Sequence, residues 1–186
     1  APGPLRLLFV GNIMRRKGLH TVLEALARLP AGLCRLSVVG KINADDGYTN
    51  DLLAQAHRLP PGTVTFLGRI PDAQLIRLYQ EHHVLAAPAF EGFGITYLEA
   101  MRFGLPVIAA TSGAAREIVT EGMNGFLVAP DDATTLATHL ERLACQRTYL
   151  LALGYGARRH YLDHPTWQQS MGRIAAWLPT VTARHP

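Results

Sequence analysis

Short apolar segments alternate along this chain with stretches in which apolar residues recur every three or four positions. The first segment, Leu5–Val10, is mostly apolar, which is typical of a strand that is buried on both faces. Beyond it, Leu19, Val22, Leu23 and Leu26 share one face of a helix. The alternation continues through the chain and favours an α/β fold of the Rossmann-like type, an open parallel sheet with helices on both faces.

The same patterns set approximate element bounds. Strands are predicted at residues 5–10, 36–40, 63–67, 84–87, 106–110 and 125–128. Helices are predicted from residue 19, near 51–59, and at 74–81, 95–103, 114–120 and 149–161. A further helix is predicted to begin after a cap at Asp131 or Asp132. The last predicted helix carries Trp167, Met171, Ile174 and Leu178. Ligands of such sheets bind at the carboxyl ends of the strands, where loops 11–18, 68–71 and 91–94 leave.

A candidate anion site follows the fourth strand, where residues 91–99 read Glu-Gly-Phe-Gly-Ile-Thr-Tyr-Leu-Glu. A helix that begins here offers unpaired N–H groups and a positive dipole end, and Gly92 and Gly94 permit close approach of a ligand. At roughly 1.5 Å per helical residue, Glu91 and Glu99 lie up to about 12 Å apart. This span suits a ligand with a polyol at each end and a diphosphate between them, such as a nucleotide sugar.

Glu-Gly-Phe-Gly from residue 91, Leu-Glu-Ala-Met from residue 98 and Gly-Leu-Pro-Val from residue 104 occur in order. Together they closely resemble the signature of the retaining GT-B glycosyltransferases of group 1, the GT4 family. The resemblance covers residues 5–178. It implies one half of a GT-B fold, the C-terminal, donor-binding domain.

This resemblance implies a nucleotide-sugar-binding domain at residues 1–163. A C-terminal helix within 164–186 would return toward an N-terminal GT-B domain that is absent from this chain and that binds the acceptor. The implied reaction transfers a hexose from a nucleoside diphosphate sugar to a hydroxyl, with anomeric retention and without a cofactor or a metal. We expect the chain alone to have little activity.

The resemblance also assigns roles to individual residues. Lys17 and Glu91 are the implied catalytic residues: Lys17 binds the donor diphosphate and offsets charge on the leaving nucleotide, and Glu91 binds hydroxyls of the transferred sugar. The diphosphate site includes Asn12, Lys17, Gly94, Ile95 and Thr96, and the sugar site Glu91, Gly92, Phe93 and Gly94. Glu99 is the implied ribose ligand, and the backbone of Ile70 lies beside the nucleobase.

Each residue also has a purely structural interpretation. Lys17 alone is a solvated lysine that opens a helix, Glu99 alone is a helix-surface glutamate, and the side chains of Phe93 and Tyr97 are expected in the core. Asp72 is expected to cap a helix rather than to bind a guanine.

Two departures from the family pattern bear on the site. The family commonly has Arg at the position of Asn12, and whether Arg15 or Arg16 replaces that charge is open. In the element 113–117, usually Gly-Gly-x-x-Glu, Ala114 replaces the second glycine, and we interpret this element as structural.

The composition limits the classes of function that fit this chain. With 48% hydrophobic and 17% charged residues and a net charge of +4, the chain is an ordinary globular protein. It has no Lys/Arg block with interleaved aromatics, so we expect no nucleic-acid partner. Only Lys17 and Lys41 are lysines among 18 basic residues, which makes a lysine at a family position informative. The pairs Asp45-Asp46 and Asp131-Asp132 suit loops or caps rather than metal sites.

The expected location is the cytoplasm. Cys34 and Cys145 are far apart in sequence, as for ordinary thiols in a reducing compartment, and no apolar run approaches the roughly 20 residues of a membrane span. The chain begins at Ala1 without a methionine, and we expect part of the natural protein to be missing. Peripheral association of the longer enzyme with the inner face of the membrane stays open.

Two alternatives come from other classes. A non-catalytic nucleotide-sugar-binding or interaction module gains support from Asn12. A dinucleotide-binding oxidoreductase is weakly supported, because residues 11–18 lack the G-x-G-x-x-G spacing after the first strand.

Overall fold

The computed structural model describes residues 3–42 and 47–182. Six parallel strands form one sheet in the order β3-β2-β1-β4-β5-β6. The strands are β1 (Leu5–Val10), β2 (Cys34–Val39), β3 (Val64–Gly68), β4 (Val84–Ala87), β5 (Val107–Ala110) and β6 (Gly125–Val128). The helices are α1 (Leu19–Ala27), α2 (Gly47–His57), α3 (Asp72–Glu81), α4 (Ile95–Arg102), α5 (Ala115–Ile118), α6 (Ala133–Cys145), α7 (Arg147–Asp163) and α8 (Trp167–Thr182), with a single 3₁₀ turn at Arg15–Lys17.

Helices cover both faces of the sheet, as the continuous apolar strands predict. Leu7 and Phe9 of β1 pack with buried residues of α1, α2 and α6. Leu8, between them, packs on the other face with residues of α3, α4 and α5. Helix α7 contributes Leu153 to the first core and Ala157 to the second. The predicted α/β, Rossmann-like class is confirmed.

The strand order reverses between β1 and β4, which are neighbours in the sheet although three helices separate them in the chain. Such a switch point is where open parallel sheets bind ligands, since the two loops leave the carboxyl edge side by side. The loops after β1 and β4 are the ones that carry Lys17 and Glu91.

Several element bounds differ from those predicted. Helix α2 begins at Gly47, four residues early, and β2 begins at Cys34. Thr49 in the first turn of α2 is fully buried, and the hydroxyl of Tyr48 lies 2.8 Å from Nδ1 of His20. These long-range contacts stabilise a turn that its polar sequence does not favour.

The N-terminal caps of α3 and α6 were both predicted from the sequence, the first wrongly and the second with two alternatives. Pro71 occupies the cap position of α3 and Asp72 lies inside its first turn, so the prediction that Asp72 is a cap was wrong. Asp132 caps α6 by accepting the N–H of Thr135 at 2.9 Å. Asp45 and Asp46 lie outside the described residues.

Helix α8 contributes nothing to either core over residues 167–179, where every residue is exposed except the half-buried Ser170. Trp167 is 81% exposed and Trp177 60%. Among the described residues, no helix is both long enough and apolar enough to cross a membrane.

Candidate functional site

Lys17 and Glu91 meet at the carboxyl edge, between the ends of β1 and β4. The Lys17 ammonium lies 2.7 Å from Oε2 of Glu91, and the two side chains are only 19% and 20% exposed. The sequence predicted both residues in one site but not that they form an ion pair. Each side chain therefore neutralises the charge of the other.

Glycines fix the loop that carries Lys17. Gly18 caps α1 with a φ of 70°, and a Cβ there would lie 2.5 Å from the carbonyl oxygen of Pro88, after β4. A Cβ on Gly11 would lie 3.7 Å from Cδ of Lys17, so the lysine stem runs along the start of its own loop. Close approach of the two loops thus determines where the ammonium lies.

The backbone of Glu91 is held by the segment after β5. Glu91 forms a parallel bridge with Gly113, and its carbonyl oxygen accepts the N–H of Ala114 at 2.9 Å. Gly113 has a φ of 64°, and a Cβ there would lie 2.2 Å from the same oxygen. The element interpreted as structural therefore positions a predicted site residue, and only glycine fits at 113.

Helix α4 begins next to this ion pair and has no side-chain cap. Its cap residue is Gly94, with a φ of 68° and a buried position where a Cβ would lie 2.1 Å from Cδ1 of Ile118. An α-helix has no internal acceptor for its first N–H groups, which here belong to Ile95 and Thr96. These amides and the helix dipole favour an anion beside Lys17.

Tyr97 adds a donor that sequence reasoning placed only in the core. It is fully buried, yet its hydroxyl has no hydrogen-bond partner among the described residues. Burial, and to a lesser degree the nearby Glu91 carboxylate, raises the pKa of Tyr97. Together with Lys17, Glu91 and Thr96 it lines a hollow of about 10 Å³, close to the space that one water occupies.

Glu99 lies on α4 and is exposed, but it is not a free surface side chain. Its Oε2 accepts a hydrogen bond of 3.1 Å from the hydroxyl of Tyr79, which is itself 2% exposed. Burial and the Glu99 carboxylate raise the pKa of Tyr79. A buried tyrosine thus holds this carboxylate in one orientation.

Asn12 links two loops of the carboxyl edge. Its side-chain oxygen accepts the N–H of Lys41 at 3.3 Å, and the N–H of Ile13 donates to the carbonyl of Lys41 at 3.1 Å. This places the backbone of Lys41, which sequence reasoning did not select, beside the first loop. Ile70 follows β3 and is half-buried against the second core.

Two further placements concern Phe93 and the two arginines of the first loop. Phe93 is 82% exposed, so the prediction that it belongs to the core was wrong, whereas that for Tyr97 is confirmed. Phe93 lies in a bend that precedes α4. Arg15 and Arg16 line a hollow that Lys17 and Glu91 do not line.

Comparison with known proteins gives a consistent result. Residues 4–146 match the family model of the glycosyl transferases group 1. A D-inositol 3-phosphate glycosyltransferase from Frankia alni is 34% identical over 187 residues, covering 96% of this chain and 43% of that protein. The structure of HepE from Anabaena in complex with UDP matches with a TM-score of 0.85 at 27% identity. The match covers 96% of this chain and 49% of the HepE chain.

A third comparison concerns a single domain. The C-terminal domain of the group 1 glycosyl transferase LpcC from Francisella tularensis has a TM-score of 0.74 at 26% identity, covering 86% of this chain and 85% of that domain. The chain spans less than half the length of the curated relatives it matches. With a family match over most of its length and the fold of one GT-B domain, this chain belongs to the glycosyl transferases group 1 family.

Proposed function

We propose that this chain is the nucleotide-sugar-binding domain of a retaining glycosyltransferase, which transfers a hexose from a nucleoside diphosphate sugar to a hydroxyl acceptor. The observation that carries the proposal is the Lys17–Glu91 ion pair beside the uncapped start of α4. HepE, which shares this fold, has been solved with UDP and with UDP-glucose. UDP is therefore the first nucleotide to test.

Donor binding exchanges the partners of the ion pair. The diphosphate takes the Lys17 ammonium and the amides of Ile95 and Thr96, since a doubly anionic group competes well for one cation and a helix N-terminus. Glu91 is thereby released to accept hydroxyl hydrogens of the sugar. Tyr97 lines the same hollow, and its buried hydroxyl, which has no partner among the described residues, can donate to Glu91 when Lys17 leaves.

The rest of the donor extends along the carboxyl edge. Gly92, Phe93 and Gly94 border the sugar, and Asn12 adds a neutral amide near the diphosphate. Glu99, oriented by Tyr79, accepts hydroxyl hydrogens of the ribose. The backbone of Ile70, after β3, lies beside the base.

In this proposal the domain contributes position and charge. As the bond between the anomeric carbon and the diphosphate oxygen breaks, both electrons go to the diphosphate, and Lys17 with the start of α4 stabilises that charge. The acceptor hydroxyl oxygen bonds to the anomeric carbon from the face of departure, which retains configuration, and its proton goes to the departing diphosphate oxygen. Glu91 orients the sugar without forming a covalent bond. No step uses a metal.

Asn12 favours one second candidate, a non-catalytic nucleotide-sugar-binding module, because a neutral amide bonded to Lys41 replaces a charge at the diphosphate. Both candidates bind the donor. Transfer measured with a longer protein that carries the N-terminal half separates them: transfer supports the enzyme, and donor binding without transfer supports the module.

Calorimetric titration of the chain with UDP, GDP and ADP tests donor binding. We expect one of them to bind, and Lys17→Ala to weaken it by about tenfold, the scale of a charge-assisted hydrogen bond. Arg28→Ala is the matched control, because Arg28 is an exposed cation paired with Glu24 on α1 and does not line the site. Binding by none of the three, or equal effects of the two variants, contradicts the proposal.

A further inference from the structure

A second hollow opens at the carboxyl edge, next to the proposed donor site. Its volume is about 340 Å³, and the loops after β1, β4, β5 and β6 enclose it. The polar groups and the aromatic ring that line it are Arg15, Arg16, His20, Phe90, Ser112 and Asp131. None of the roles assigned above uses it.

This hollow adjoins the donor site without being part of it. Ala89 and Phe90 line both hollows, whereas Lys17 and Glu91 line only the smaller one. Phe90, 52% exposed, stands between them and directly precedes Glu91. A molecule in the larger hollow would therefore lie beside the sugar end of the donor, which is where a transferase must hold its second substrate.

The arginines of this hollow are available to an anion. Both side chains are exposed, and neither forms an ion pair with a carboxylate of residues 3–42 or 47–182. A guanidinium presents donors in a planar fork that matches phosphate oxygens. Two adjacent guanidiniums without a carboxylate partner favour a phosphate monoester.

The carboxylate of Asp131 also lines this hollow, and hydrogen bonding fixes its position. Asp131 has a φ of 60°, the only positive value of a non-glycine residue among those described, and its side chain is 69% exposed. Its Oδ1 lies 2.8 Å from Nε2 of His20, whose Nδ1 lies 2.8 Å from the Tyr48 hydroxyl. This network holds an unusual backbone conformation and keeps the carboxylate at the rim, where its second oxygen can accept hydroxyl hydrogens.

We propose that this hollow is an acceptor subsite for a phosphorylated polyol. Arg15 and Arg16 bind the phosphate, and Asp131 and Ser112 bind hydroxyls, so that another hydroxyl of the same molecule faces the donor sugar. The assignment rests on the proposed function. The donor domain then contributes to acceptor choice, which the sequence alone assigned to the absent half.

The test uses a matched pair of probes. In NMR titrations of the chain, glucose 6-phosphate is expected to shift the amide signals of Arg15, Arg16, Ser112 and Asp131, and glucose is not. The double variant Arg15→Gln, Arg16→Gln is expected to weaken glucose 6-phosphate by about tenfold and to change UDP affinity by less than about threefold. Arg28→Gln, the control, leaves both unchanged.

Vesicles that contain phosphatidylinositol 4-phosphate serve as a second probe, because this lipid carries the same phosphate monoester on a polyol headgroup. Vesicle binding that depends on Arg15 and Arg16, with or without glucose 6-phosphate binding, supports the subsite and assigns its source. The proposal is overturned if neither glucose 6-phosphate nor the vesicles bind, or if the double variant binds them as tightly as the parent does. It is also overturned if glucose 6-phosphate binds at Lys17 and UDP displaces it from there. If the parent chain binds none of UDP, GDP and ADP, the donor site is contradicted instead.

Discussion

At the scale of single residues, Glu91 is held through its backbone by Gly113. Gly113→Ala puts a methyl group 2.2 Å from the Glu91 carbonyl oxygen at a φ of 64°. We expect a loss of about 1–3 kcal/mol in the free energy of unfolding and weaker binding of UDP-glucose. Urea unfolding and calorimetry measure the two effects.

Gly92→Ala is the matched control, because a Cβ at Gly92 meets nothing within 4 Å and the residue has no positive φ. It should unfold at nearly the urea concentration of the parent. Equal midpoints for the two variants would show that the bridge at Gly113 does not position Glu91.

Tyr79 offers a second test at this scale. Tyr79→Phe removes the hydroxyl that donates to Glu99 and keeps the ring stacked on Phe103. The expected result is a loss of about 0.5–1.5 kcal/mol in UDP binding, since the ribose carboxylate is no longer oriented. Tyr155→Phe, at a tyrosine that is 70% exposed, is the control. Unchanged affinity for Tyr79→Phe would contradict the ribose assignment of Glu99.

The sequence named candidate site residues but not the contacts among them. A motif names Lys17 and Glu91, but their ion pair joins positions 74 residues apart and depends on the approach of two loops. The same holds for the bond between Tyr79 and Glu99. Phe93 was misplaced because an apolar residue in a motif favours the core, whereas the residue lies in an exposed bend before α4.

At the scale of elements, α8 differs from the other helices. None of its side chains over 167–179 is buried, so we expect removal of residues 165–186 to change the free energy of unfolding by less than about 1 kcal/mol. Leu153→Ala on α7, where Leu153 is 1% exposed, is expected to cost about 2–5 kcal/mol. Chemical denaturation compares them, and a larger loss for the truncation would show that α8 stabilises the domain.

Helices and strands were predicted correctly where the pattern of apolar residues alone indicates them. They were predicted wrongly where a contact with a residue distant in sequence determines the structure. The six strands were predicted at nearly their observed positions because most of their residues are apolar. Five of them are largely buried, and the edge strand β3 is half-buried. The start of α2 was missed because Tyr48 and Thr49 are polar residues that the fold buries or bonds. Asp72 resembles a cap in sequence, yet Pro71 takes the cap position.

At the scale of the whole molecule, half-buried histidines make stability depend on pH. Burial, with Arg6 and Arg147 nearby, lowers the pKa of His83 to about 4, and burial lowers the pKa of His82, His139 and His160. Nδ1 of His83 accepts the N–H of Arg6 at 3.0 Å, which requires the neutral ring. The folded chain therefore resists protonation of these rings.

The unfolded chain protonates these histidines near pH 6.5, so it binds more protons than the folded chain between about pH 6.5 and 4. Stability is expected to fall as the pH falls through this window. His83→Asn, whose side-chain oxygen can accept the same N–H, should reduce that dependence. Urea unfolding at pH 7.5 and at pH 5 measures this dependence. If the free energy of unfolding changes equally between the two pH values in parent and variant, His83 does not contribute.

The sequence identified the family and the donor half, because those depend on one short motif and one pattern of strands. It could not identify the second hollow. That hollow is enclosed by four loops whose residues, from Arg15 to Asp131, have no common pattern and come together only in the folded sheet.

The central claim is that Lys17 and Glu91 bind adjoining parts of one donor. Calorimetry with UDP-glucose and UDP tests it most directly. Glu91→Gln is expected to abolish the preference for UDP-glucose and to keep or raise UDP affinity, since Lys17 loses its competing partner, whereas Lys17→Ala weakens both ligands by about tenfold. Unchanged affinities in both variants, or an equal loss of both ligands in Glu91→Gln, would contradict the claim.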